Sequence, residues 1–256
     1  MKKTLITAVA LIAMGASSAM ALSFDVYNST ETSSIESWIT TKGGYVTLLE
    51  DFESETAGWY ETLNTSVGEF TAGGDVGIGA TSCNSASDCT NKDDPQFSIQ
   101  DRDNSWYGRF NTTEGAESSQ WLDSGDITEL NLAVDSTLQS QLTNLFFYIQ
   151  DPSDVGAKTT INGNTVTTGY EFTGKSDGGS FFFGITLAEN ETLESIQWLV
   201  SSANDGYGLD DFSTVAAAPV PEPATMLLFG TGLAGLAGIA RRRQKKNNFI
   251  RNEQAL

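Results

Sequence analysis

Two groups of carboxylates carry the most chemistry in this chain. Glu50, Asp51 and Glu53 close an apolar run, and Asp205, Asp210 and Asp211 lie in NDGYGLDDF near the end of another. Sets of oxygen donors suit calcium, which takes six to eight oxygen ligands in irregular geometry. First and last strands of an all-β domain are often neighbours. The six residues are therefore expected either to converge on one calcium-holding pocket or to stay solvated, with Asp210 or Asp211 capping a turn. Two carboxylates also suffice for glycoside hydrolysis, but no single acidic pair stands out, so a noncatalytic chain is expected.

The 256 residues contain no histidine. That removes Ser-His-Asp and Cys-His catalysis and the commonest transition-metal ligand. Asp101-Arg102-Asp103-Asn104-Ser105 opens like an EF-hand loop, but Trp106 occupies the sixth position, where Gly is needed, and Thr112 the twelfth, where Glu is needed. Asp101 and Asp103 then read as edge-strand charges that discourage sheet-to-sheet pairing. Cys83 and Cys89 close the short loop CNSASDC; on an exported chain they are expected to form a local disulfide, worth roughly 2 kcal/mol. Trp59, Tyr60, Trp106, Tyr107, Trp121, Tyr170 and Tyr207 either fill the core or stack on sugar rings. Trp106 with Tyr107 is the best sugar-stacking pair, because adjacent strand residues point to opposite faces and one must be outside.

The elements that must position these residues have period two. Residues 46–52, 96–100, 105–110, 145–149, 180–187, 196–200 and 208–215 are short, aromatic and β-branched, and GGDVGIG, INGNTVTTG and KSDGGS separate such runs with turn residues. This is the pattern of an all-β fold, a single β-sandwich or jelly roll, expected over residues 45–215. Residues 22–44 read as a preceding segment with a first strand and a short helix near Ile35–Thr40, and 216–219 as a linker. From Leu22 to Ala218 the chain holds six basic residues against 31 acidic ones, so this region stands at −25 while the whole chain stands at −19. Such a surface repels nucleic acid.

The two ends differ from this middle. Lys2 and Lys3 precede an apolar run from Leu5 to Met14, and Ala19-Met20-Ala21 has the small-x-small pattern read by signal peptidase, so residues 1–21 form a signal peptide and the mature chain begins at Leu22. Near the other end Pro221, Glu222 and Pro223 are followed by seventeen uncharged residues, Ala224–Ala240, and then by Arg241, Arg242, Arg243, Lys245 and Lys246. As a helix, 224–240 spans about 25 Å, close to the minimum for a bilayer core of roughly 30 Å. The basic cluster orients that helix with residues 247–256 in the cytosol.

Residues 220–246 resemble the PEP-CTERM sorting signal of Gram-negative, exopolysaccharide-producing bacteria, with its Pro-Glu-Pro, short apolar helix and terminal Arg cluster in that order. The resemblance implies an inner-membrane precursor cut by an exosortase, a membrane cysteine peptidase, and then displayed at the cell surface or in the extracellular matrix. The DFE start and the GLDDF end also resemble calcium-stabilised jelly-roll modules of the galactose-binding and carbohydrate-binding-module type. Together these likenesses imply a noncatalytic protein associated with exopolysaccharide and biofilm, with a carbohydrate-binding module or a glycoside hydrolase as alternatives.

Overall fold

A computed structural model describes residues 22–76, 95–101, 108–112, 120–153, 155–163, 167–172, 178–201 and 205–217. The expected signal peptide, Cys83 and Cys89 with their expected disulfide, Asp103, Trp106 and Tyr107, and the expected sorting segment with its expected membrane helix over 224–240 lie outside the described residues. Among the described residues no helix is long and apolar enough to cross a membrane.

In chain order the described elements are β1 (Ser23–Asn28), α1 (Thr32–Thr41), β2 (Gly44–Glu50), β3 (Gly58–Tyr60), β4 (Thr62–Asn64), β5 (Gly68–Val76), β6 (Phe97–Asp101), β7 (Gln120–Asp123), β8 (Ile127–Val134), α2 (Ser136–Gln139), β9 (Asn144–Gln150), β10 (Lys158–Gly163), β11 (Thr167–Glu171), β12 (Ser180–Thr186), β13 (Leu193–Leu199) and β14 (Gly208–Ala217). They form two sheets, one ordered β1-β12-β9-β14-β7-β6-β3 with β2 also paired to β14, the other β11-β10-β13-β8-β5-β4. The sheets face each other across a single apolar interior. Phe212 on β14 stacks on Phe147 of β9 at 4.9 Å and meets Phe70 of β5 edge-on at 5.7 Å, while Phe147 meets Trp198 of β13 at 5.5 Å. The architecture is a β-sandwich.

β9 and β12 explain why a period-two chain contains the continuous runs NLFFYIQ and SFFFGIT. A strand buried on both faces has no reason to alternate. Phe147 and Phe183 face the main interior and stack at 5.1 Å, whereas Phe146 and Phe182 face outward and stack at 4.9 Å. That outer pair needs cover, and α1 supplies it through Ile35 and Trp38. Trp38 lies 5.2 Å from Phe182 and 6.2 Å from Phe146. Gly184 makes this approach possible, because a Cβ there would stand 2.8 Å from the Trp38 ring and 2.9 Å from Phe182.

Three sequence expectations are corrected. The sandwich begins at Ser23, not Tyr45, because β1 pairs with β12 in unbroken antiparallel register from Ser23↔Thr186 to Asn28↔Phe181. β14 runs to Ala217, so half of the expected linker is strand. The run 105–110 is not a strand over its described part: residues 108–110 form a turn with one isolated bridge. Asp101 ends β6, which lies between β7 and β3 but pairs with β3 only over Phe97–Ile99, so Asp101 itself is paired on the β7 side alone. The expected helix near 35–40 and the pairing of the first core strand with the last, β2 with β14, are both present.

Gly184→Ala is expected to lower the unfolding free energy by about 1–3 kcal/mol, the usual cost of inserting a methyl where nothing can give way. Gly73→Ala, whose Cβ would meet only ordinary contacts with Glu129 at 3.5 Å or more, should change stability little. Urea unfolding of both variants checks this, and equal costs would contradict the packing of α1 described here.

Candidate functional site

Residues 108–112 cross one end of the eight-stranded sheet, and side chains from several other elements fix them. Gly108, at φ +84°, passes so close to Asp151 that a Cβ would stand 2.9 Å from its Oδ2. The Phe110 N–H donates to Gln150 Oε1. Asn111 Nδ2 donates to Glu53 Oε1 at 2.6 Å, and that oxygen also accepts the Gln120 N–H at 3.0 Å. The Thr112 N–H and Oγ1 donate to Asp210 Oδ2 at 2.6 and 2.9 Å, with Oγ1 also 2.9 Å from Asp211 Oδ2.

Arg109 is the centre of this arrangement. Its side chain is buried, with Nε 3.1 Å from Asp123 Oδ2, and Nη1 3.0 Å from Asp205 Oδ1 and 3.1 Å from the Gly206 carbonyl. Asp123 is equally buried and accepts the Gly125 N–H at 2.7 Å through its other oxygen. Burial by itself lowers the pKa of the guanidinium, but the Asp123 and Asp205 carboxylates more than offset this and hold it above its ordinary value. Burial raises the Asp126 carboxyl; Arg109 opposes that rise, and Asp123 and Asp205 add to it. The Tyr207 phenol is buried beside Asp123 and pushed well above its ordinary value by desolvation and then by that carboxylate, so it stays protonated.

β14 changes partner at the acidic pair. Gly208 and Leu209 pair with Asp123 and Leu122 of β7, and β2 joins β14 as a further partner. On the opposite edge the register with β9 shifts between Asp210 and Ser213, and Asp211 takes φ +54°, as in a β-bulge. Two consecutive carboxylates are thereby brought to one Thr112 hydroxyl. That hydroxyl has a single proton and can donate to only one of them at a time. Burial, and then repulsion from Asp211, raise Asp210 well above the usual carboxylate range.

The six residues expected to share a calcium pocket are thus divided. Glu50 is buried and accepts from the Phe52 N–H at 2.8 Å and the Ser66 N–H at 3.0 Å. Asp51 accepts the Glu53 N–H at 3.2 Å. Glu53 holds Asn111, Asp205 holds Arg109, and Asp210 and Asp211 share Thr112. Among the described residues no group of three or more acidic side chains is arranged to hold a metal ion. Of the aromatics, Trp121 and Tyr207 are buried and cannot serve as sugar platforms. Sequence reasoning did not single out Arg109. Its signal was scarcity: it is one of only six bases among 31 acids in the exported region.

Arg109→Ala should destabilise the domain by about 3–5 kcal/mol, because Asp123 is left charged, buried and unpaired. Arg109→Met combined with Asp123→Asn should recover much of that loss in denaturant unfolding; no recovery would show that the guanidinium acts through packing alone. The acidic pair has a distinct pH signature. A carboxyl whose folded pKa is raised contributes stability that is fully present below the unfolded value of about 3.9 and is lost as pH rises through the folded value. Asp211→Asn removes the neighbouring charge and suits the positive φ, so melting temperature should fall less steeply with pH above about 4 than in the wild type. Parallel profiles would contradict the repulsion of Asp210 by Asp211.

Residues 219–244 match the family model of the PEP-CTERM protein-sorting motif. No curated protein matches the chain. The chain therefore carries, two residues beyond the last residue of β14, a motif that supports sorting of an exported precursor to the cell surface by an exosortase-type system.

Proposed function

We propose that this protein is a noncatalytic cell-surface or extracellular-matrix component whose β-sandwich is exported, anchored in the inner membrane through residues 224–240, released by an exosortase near Pro221-Glu222-Pro223, and associated with exopolysaccharide. The observation that carries this reading is the sorting motif beginning at residue 219, directly after a domain that ends at Ala217. Signal peptidase acts first, at the Ala21–Leu22 bond, and Arg241, Arg242 and Arg243 keep the tail in the cytosol. The noncatalytic part of the reading is supported by how the candidate acids are used. Asp210 is buried, Glu50, Glu53 and Asp205 each accept hydrogen bonds from the chain's own groups, and a glycosidase needs two carboxyls facing an open cleft. The net charge of −25 over residues 22–218 suits a soluble, well-dispersed surface domain.

The surface form should lack the basic tail after Arg241, and alanine at Pro221, Glu222 and Pro223 together should trap the full-length chain in the inner membrane. Intact-mass measurement of the surface and membrane fractions checks both. An intact C-terminus on the surface form would overturn the processing step.

A further inference from the structure

A groove of about 470 Å³ runs between β1 and α1, on the outer face of the sheet and away from residues 108–112. β1 contributes Asp25 and Tyr27, and α1 with the residue after it contributes Ser33, Ser34, Ser37, Trp38, Thr41 and Lys42. Its frame is rigid. Trp38 is wedged over Gly184 against Phe182 and Phe146, and its Nε1 donates to Asp25 Oδ2 at 2.9 Å, which fixes the carboxylate in the wall. Lys42 Nζ lies 5.7 Å from the centre of the same indole ring.

The groups facing the groove are largely unspent. Among the described residues the hydroxyls of Tyr27, Ser33, Ser34 and Ser37 make no hydrogen bond, and Lys42 pairs with no carboxylate; Thr41 alone is engaged, with the Trp38 carbonyl at 2.8 Å. Four hydroxyls that both donate and accept, one carboxylate that accepts and one ammonium that donates call for a ligand dense in both kinds of group. The volume falls within the range of small-molecule sites, but the lining lacks the apolar character that drug-like ligands require. Anionic ligands are disfavoured, because one lysine faces the net −25 of the exported region.

We propose that this groove is a binding site for one or two units of a neutral, polyhydroxylated saccharide chain, with Asp25 and Lys42 orienting the hydroxyls and the serine face of α1 completing the contacts. The proposal rests on the exopolysaccharide association above and gives it a location. Burial, and then the nearby Asp25 and Glu31 carboxylates, raise the Tyr27 phenol and keep it a donor.

The test is calorimetric titration of the full chain, purified in mild detergent, with neutral glucan hexamers and with hexuronate hexamers. The wild type should bind a neutral hexamer and prefer it to the hexuronate. Ser33→Ala with Ser37→Ala should weaken binding about tenfold through two lost hydrogen bonds, and Ser37→Trp should abolish it by filling the groove. Both changes lie at exposed helix positions and should leave the melting temperature unchanged. Equal binding by wild type and both variants would overturn the groove and leave the exopolysaccharide reading intact. Preference for the hexuronate would overturn the neutral class, and absence of binding to either hexamer would overturn the groove and that reading together.

Discussion

The carboxylate-rich end of the larger sheet depends on one buried guanidinium. Asp123, Asp126 and Asp205 gather there, in a region whose net charge is already −25. Two like charges about 4 Å apart cost roughly 4 kcal/mol at the effective dielectric of a protein surface, so the end cannot close around bare carboxylates. Arg109 supplies a fork whose separate nitrogens reach Asp123 and Asp205 and a main-chain carbonyl at once, a geometry that a lysine ammonium does not reproduce. Five residues farther along, the same crowding recurs at Asp210 and Asp211, where the Thr112 hydroxyl lies within hydrogen-bond distance of both carboxylates and burial with the neighbouring charge raises the Asp210 pKa. A guanidinium at one position and a raised carboxyl pKa at the other answer the same electrostatic demand.

Residues 108–112 carry both solutions, which is why a segment outside the strand ladder organises so much of the sheet. Its Arg109 closes the junction of β7 with β14, its Asn111 holds Glu53 just after β2, and its Thr112 sits at the bulge of β14. The acids that look like a metal site in the sequence are acceptors for the chain's own donors. Oxygen clusters serve either purpose, and residue types alone do not distinguish them.

What was legible in the sequence was local. The alternating and aromatic runs became β2, β6, β9, β12, β13 and β14, and α1 appeared where Ile35 and Trp38 share a helical face. β5, β10 and β11 were not legible, because GEFTAGGDV, KTTING and TTGYE are rich in Gly and Thr, which equally mark turns; their strand character comes from pairing with β8, β13 and β10 respectively. β7, with four residues, is too short to show a period. The separation of the six acids was invisible for a different reason: their partners Ser66, Arg109, Asn111 and Thr112 come from distant parts of the chain, and the contact between Thr112 and Asp210 spans 98 residues.

The position of β14 links fold to sorting. β14 is the last of the described strands, yet it lies inside the sheet, flanked by β9 on one side and by β7 and β2 on the other. Phe212, Leu209 and Val215 on it are fully buried, and Phe212 joins the two sheets through Phe70 and Trp198. The interior is therefore complete only when residues 209–215 are in place, and their pairing is non-local. The sorting motif starts at residue 219, so it follows the completing strand by two residues. The strand that completes the interior and the motif that supports sorting are thus adjacent in the chain, so the domain ends where the sorting segment begins.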